Sequence, residues 1–139
     1  MKNIQTELTS ATQHTNGTNE VTLSDATKVL LTHHLSSFLN NDLEAVVSDY
    51  TDESVLITQP ATYIGRTEIA TFFADLMTHF PKGNANFDLD EIVVKDEFAF
   101  IVWHADNPTL NVSLGSDTFV IEGDKIHRQT FVGLMEYIN

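Results

Sequence analysis

Residues 84–137, NANFDLDEIVVKDEFAFIVWHADNPTLNVSLGSDTFVIEGDKIHRQTFVGLMEY, decide the fold. Apolar, β-branched and aromatic residues dominate, broken at Lys95/Asp96/Glu97, at Asp106/Asn107/Pro108 and at Gly123/Asp124, where the chain is built to turn. The spacing predicts four long strands over about 84–94, 98–105, 110–122 and 125–137. Gly123/Asp124 is a two-residue hairpin connection, so neighbouring strands run antiparallel.

Upstream the periodicity changes from two to 3.6. Thr22 and Asp25 resemble a capping box, with Val21 placed to staple onto Ala26, and a helix is predicted to about Asn40. Its apolar stripe is Leu31, Leu35, Phe38 and Leu39, with His34 on the same face. Asn40 and Asn41 close it, and Asp42 caps a short second helix whose stripe is Leu43, Val46, Val47 and Tyr50. Residues 54–59, SVLITQ, read as a strand ended by Pro60, with Leu56 and Thr58 on one face. After Gly65 a third helix carries Ile69, Phe72, Phe73, Leu76 and Phe80 and stops at Pro81–Gly83. Three helices followed by long antiparallel strands imply an α+β fold, with the helices on one face of a twisted sheet. Trp103, Ile101 and Val112 are then candidates for the other face, and an apolar face of that size predicts a homodimer.

A chain of 139 residues, 42% hydrophobic and with nine Phe, suffices for one core. It contains no cysteine, which excludes disulfides and thiolate chemistry and fits a reducing cytoplasm. The formal net charge of −13, with the seven basic residues scattered, speaks against nucleic acid and anionic lipid as partners. No apolar run is long enough to span a membrane. The first 21 residues are rich in Thr, Asn, Gln and Ser and read as a polar arm, anchored if at all by Ile4 and Leu8, ahead of a domain over 22–139.

The order of elements and three local patterns, FLNNDLEAVVSDYTDESVLI, YIGRTEIATFF and DTFVIEGDKIHRQTFVG, resemble the nuclear transport factor 2-like superfamily, in its SnoaL-like and ketosteroid-isomerase-like branch. The resemblance covers about residues 24–136. It implies a cone-shaped, curved antiparallel sheet packed against three N-terminal helices, open at one end to a small apolar or carbonyl-containing ligand and commonly dimeric. Carried over by motif, the isomerase base falls on Thr58, its tyrosine on His34 and its protonated carboxylate on Asp117. Thr58 cannot serve as a base near neutral pH, so the isomerase mechanism does not transfer intact. What the resemblance leaves is a SnoaL-like pocket protein, an isomerase, cyclase or dehydratase working by acid/base chemistry, or else a non-catalytic ligand-binding or interaction module.

Three residues are candidates for moving protons. Asp117 stands beside Phe119 and Ile121; facing a hollow it is desolvated and its pKa is raised, whereas near a strand end it pairs with Ser113, Arg128 or a backbone amide. His34 sits on an apolar helical stripe, either as a pocket group or as a satisfied core histidine. His104 shares a strand face with Phe100 and Val102, opposite Trp103. If that face looks inward, His104 forms a dyad with Asp117; if not, it is solvated. The family register turns Arg128 and Thr130 inward, Arg128 to face Asp117 or a ligand anion, with a surface position the alternative. Thr58, Tyr50, Tyr63, Phe73, Phe100, Val102, Phe119, Arg128 and Thr130 are thus the expected ligand-contacting set. The six histidines form no metal-ligand spacing and the glycines no phosphate loop, so neither metal nor cofactor is expected.

Overall fold

In the computed structural model, which describes residues 22–138, the first helix α1 (Leu23–Leu39) opens with the expected box. The Thr22 hydroxyl accepts from the Asp25 amide at 3.1 Å and the Asp25 carboxylate accepts from the Thr22 amide at 3.4 Å. The arm over 1–21, with Ile4, Leu8 and the Val21 staple, lies outside the described residues. α1 buries Leu31, His34, Leu35 and Phe38. It ends where Asn41 takes a positive φ of 56° and ties the corner to the far end of the third helix, donating to the Phe80 carbonyl at 2.8 Å and accepting from the Lys82 amide at 2.7 Å.

The short α2 (Leu43–Val47), capped by Asp42, stops before the predicted Tyr50. Tyr50 instead begins β1 (Tyr50–Thr58), because Ser54 breaks the helical period: its hydroxyl donates to the Ile126 carbonyl at 2.6 Å and accepts from the Thr51 amide at 2.8 Å, pinning an irregular strand. A three-residue strand not foreseen in the sequence, β2 (Thr62–Ile64), pairs back on β1 and leads into α3 (Gly65–Met77). Gly65 enters that helix at φ +83°, with the Asp52 carbonyl 3.0 Å from where a Cβ would sit, so both conformation and space require glycine.

The long strands are β3 (Phe87–Lys95), β4 (Phe98–Asp106), β5 (Leu110–Glu122) and β6 (Lys125–Tyr137). The six strands form one curved, unclosed sheet in the order β2-β1-β6-β5-β4-β3, antiparallel except for the parallel β1–β6 pair. Three helices cover its concave face, giving the α+β cone the sequence predicts. The curvature has a visible source. β-Bulges interrupt the β3–β4, β4–β5 and β5–β6 ladders, and the inward-facing Gly115 and Gly133 are register partners in the middle of β5–β6. A Cβ on Gly115 would lie 2.5 Å from Trp103, and one on Gly133 2.9 Å from Phe131. The two bare positions let those rings lie flat on the sheet, stacked 5.8 Å apart with planes 14° from parallel.

The same bulges and the real strand faces correct several expectations. On β4 the inward set is Ala99, Ile101, Trp103 and Ala105, all buried, so Trp103 and Ile101 are core and not outer face; Val112 is core as well. Phe100, Val102 and His104 take the outer face. On β6 Ile126 is buried, but the bulge inserts an extra residue, since Ile121 pairs with Ile126 and Val120 already with Arg128. Alternation therefore restarts, bringing Gln129 and Phe131 inward and sending Arg128 and Thr130 outward.

Candidate functional site

The concave side of the sheet and the inner faces of α1 and α3 line a partly open hollow of about 40 Å³. That is room for a very few waters, and its walls are aromatic, with Phe38 from α1, Phe72 and Phe73 from α3, Phe119 and Phe131 from the sheet and Trp103 across the end. Among them stand three polar side chains: Asp117, Gln129 and His34.

Asp117 occupies an inward position in the middle of β5. Its two oxygens are separately held, Oδ1 by the Trp103 indole N–H at 2.8 Å and Oδ2 by the Gln129 amide N–H at 2.9 Å. Gln129 can donate there because its own oxygen is taken by the Tyr50 hydroxyl, which donates to it and fixes the amide's orientation. Burial pushes the Asp117 carboxyl up to about 6, and the Trp103 and Gln129 bonds and the nearby His34 hold it from rising further. Tyr50, wholly buried, is pushed well above its usual range, first by burial and then by Asp117 and Asp49, so it stays a neutral donor. The arrangement is an acid whose protonated and ionised forms are both accessible near neutral pH, inside an apolar wall.

His34 touches Tyr50, Phe73 and Phe119 edge-on, with ring centroids 5.6 to 5.7 Å away. Its Nδ1 is buried without a hydrogen bond; the Asp49 carboxylate lies 3.5 Å off, within ionic range but too far and too poorly aimed to count as bonded.

Of the predicted site residues, the structure brings together His34, Asp117, Phe73 and Phe119, with Tyr50 behind them through Gln129. Tyr63 stands one layer back, its ring 5.2 Å from that of Phe72. Thr58 is spent on the β1–β2 turn, its hydroxyl donating to the Ala61 carbonyl at 2.8 Å. The His104–Asp117 dyad does not exist: His104 faces out between Asp90 at 2.7 Å and Asp88 at 3.1 Å. Arg128 is exposed and donates to the Glu53 and His127 carbonyls, Thr130 is exposed beside it, and Phe100 and Val102 share the outer face. The sequence reading missed Trp103 and Gln129, the two donors to Asp117. Trp103 was recoverable, since the set Ala99, Ile101, Trp103 and Ala105 is apolar throughout while the alternate set contains His104 and Asp106. Gln129 was not, because its orientation depends on the bulge. Among the described residues no three His, Asp or Glu side chains converge as metal ligands would, and no helix is long and apolar enough to cross a membrane.

Solved structures share this architecture at low identity, a likeness of fold. A putative ketosteroid isomerase from Kribbella flavida superposes with a TM-score of 0.69 at 11% identity, covering 86% of each chain. An NTF2-like protein of unknown function from Mesorhizobium loti gives 0.66 at 20% identity, over 80% of this chain and 93% of that one. A putative SnoaL-like polyketide cyclase from Shewanella denitrificans gives 0.61 at 15%, over 79% and 90%. No curated protein matches the chain significantly. The family model for the SnoaL-like domain matches residues 31–129, from the middle of α1 to the Gln129 that holds Asp117. The chain belongs to the SnoaL-like domain family.

Proposed function

We propose that this protein binds a small apolar carbonyl compound in the cavity and performs acid/base chemistry on it, an isomerisation, cyclisation or dehydration, without a cofactor. The observation that carries the reading is Asp117: a carboxyl raised to about 6, placed in an aromatic cavity and held by two neutral donors. A core that needed only stability would fill this position with an apolar side chain. Asp117 is the proton donor or acceptor at the substrate, and His34 is the second proton-handling group. Solved relatives of the fold that are named as a ketosteroid isomerase and polyketide cyclases are consistent with a ring-bearing carbonyl substrate. At about 40 Å³ the cavity takes such a molecule only after the partly buried Phe72 and Leu76 turn aside, so binding requires α3 to give way.

Two copies associate through the outer sheet face, where Val93, Phe98, Phe100, Leu114, Val132 and Leu134 are exposed. The lack of cysteine fits a protein that works in a reducing cytoplasm. The small cavity and this broad apolar face together favour one rival, a non-catalytic dimeric module whose hollow is merely core.

The test is native mass spectrometry of freshly purified protein, with denaturing extraction of whatever co-purifies, followed by turnover of that compound by the wild type and by Asp117→Asn. The proposal expects one apolar carbonyl compound per subunit, bound by both proteins and turned over by the wild type alone. Equal turnover by both removes Asp117 from the mechanism, and binding without any turnover favours the rival.

A further inference from the structure

The outer face of the sheet carries its charges in an order that its apolar side chains do not share. Strand register lays the face out in rows. Lys95, Phe98, Val120 and Arg128 form the row at the end where β5 turns into β6, and Asp106, Asn111 and Glu136 form the row at the opposite end. Between these rows Glu91 lies opposite Val102 and Asp88 opposite His104. The basic residues of the face thus stand at one end, and Asp88, Asp90, Glu91, Asp106 and Glu136 stand toward the other. Asp88 and Asp90 flank His104 at 3.1 and 2.7 Å, and a single imidazolium there still leaves that end acidic. At the basic end the Arg128 guanidinium donates to neutral carbonyls, and Lys95 reaches Asp96 in an exposed contact of 3.7 Å, so neither cation has its charge spent within the chain.

We propose that a second copy of this chain seats on this face about a two-fold axis that runs across the strands, near the row of Val102, Ser116 and Val132, so that the basic end of each copy covers the acidic end of the other. Lys95 then comes over Asp88 and Asp90 of the partner subunit, and Arg128 over Glu136 of the partner subunit. This rests on the association of two copies proposed above. A two-fold contact is self-complementary, and the direction of its axis alone decides which ends meet. An axis along the strands would instead lay Lys95 against Arg128 of the partner subunit and one acidic end against the other. The apolar residues do not choose between these arrangements, because Val93, Phe98 and Phe100 lie toward one end and Leu114, Val132 and Leu134 toward the other, and all are buried either way. Charge does choose, since opposite charges across an interface fix its register and like charges placed face to face are penalised.

Sedimentation velocity of the full chain over a concentration series tests the arrangement with Arg128→Glu and Glu136→Lys, both at exposed positions. The proposal expects a wild-type dimer, dissociation raised about tenfold or more by each substitution alone, and a heterodimer of near wild-type affinity when the two variants are mixed, because each reversed charge then faces the other. Net charge by itself would move the two variants in opposite directions, so weakening by both is specific to the pairing, and recovery in the mixture also shows that both are folded. A wild-type dimer that Arg128→Glu leaves unchanged or tightens, or a mixture that does not recover, overturns the orientation and leaves the association standing. Tightening is the result an axis along the strands would give, through Lys95 of the partner subunit. A wild type that stays monomeric throughout the series removes the association itself, and the orientation with it.

Discussion

Asp117 is where the residue scale decides the account. Its carboxyl titrates near 3.8 when unfolded and near about 6 when folded, so between those values the native state binds the proton more tightly. The stabilisation from this site is fully present below about pH 4 and is lost as pH rises through about 6, leaving a cost of roughly 3 kcal/mol at neutral pH. Urea unfolding of the wild type should therefore show stability falling between pH 4 and 7, and Asp117→Asn should flatten that portion of the curve while keeping an acceptor for Trp103. An unchanged pH slope in the variant would mean that Asp117 is not the buried titrating group. Legibility at this scale was uneven. That Asp117 faces the interior was readable from its place beside Phe119 and Ile121; of its partners, Trp103 was recoverable only through His104 and Asp106 on the alternate set, and Gln129 was not, since the β5–β6 bulge sets its facing.

Among the elements, helices were easier to read than strands, and the reason is physical. α1 declares its start through Thr22 and Asp25, its buried face through Leu31, Leu35 and Phe38, and its stop through Asn41. β4 is less explicit, because Phe98, Phe100 and Val102 on one face are as apolar as Ala99, Ile101 and Trp103 on the other, and only His104 and Asp106 near its end tell the two faces apart. β5 and β6 add a second difficulty: a bulge shifts alternation by one, so Ile126 and Gln129 face the same way though three residues apart. Within this sheet the Trp103–Gly115 contact carries a direct prediction. Gly115→Ala drives a methyl into the indole ring at 2.5 Å and should lower stability by about 1–3 kcal/mol, measured as a reduced urea midpoint with unchanged slope. Because Trp103 also holds Asp117, the same change should move the Asp117 titration. A variant as stable as the wild type would show that the indole has room to shift.

For the molecule as a whole, the apolar second face that defeated the parity reading is what the proposed association of two copies requires. A sheet with one solvated face alternates apolar and polar cleanly, and this one does not. Leu134 and Val132, 62% and 53% exposed on β6, lie within that face. Leu134→Lys should convert dimer to monomer in sedimentation velocity while leaving the cavity side untouched; a wild type that sediments as a monomer at working concentration would remove the association. The formal charge of −13 acts at this scale too, favouring solubility and offering nothing to polyanions, but it carries no information about the hollow inside. The cone and its layers were legible because helix period, strand length and turn residues are local properties. The contents of the cavity were not, because they depend on bulges and on which of two apolar faces is turned inward.

Carbon-13 NMR titration of the Asp117 side-chain carboxyl in the ligand-free protein tests the central claim most directly. A midpoint near about 6 is the result predicted, and it would show a proton-accepting acid kept ready in an aromatic cavity. A midpoint at or below the ordinary 3.8 would show a carboxylate fully satisfied by Trp103 and Gln129, and would contradict the reading of this cavity as a place where protons are moved.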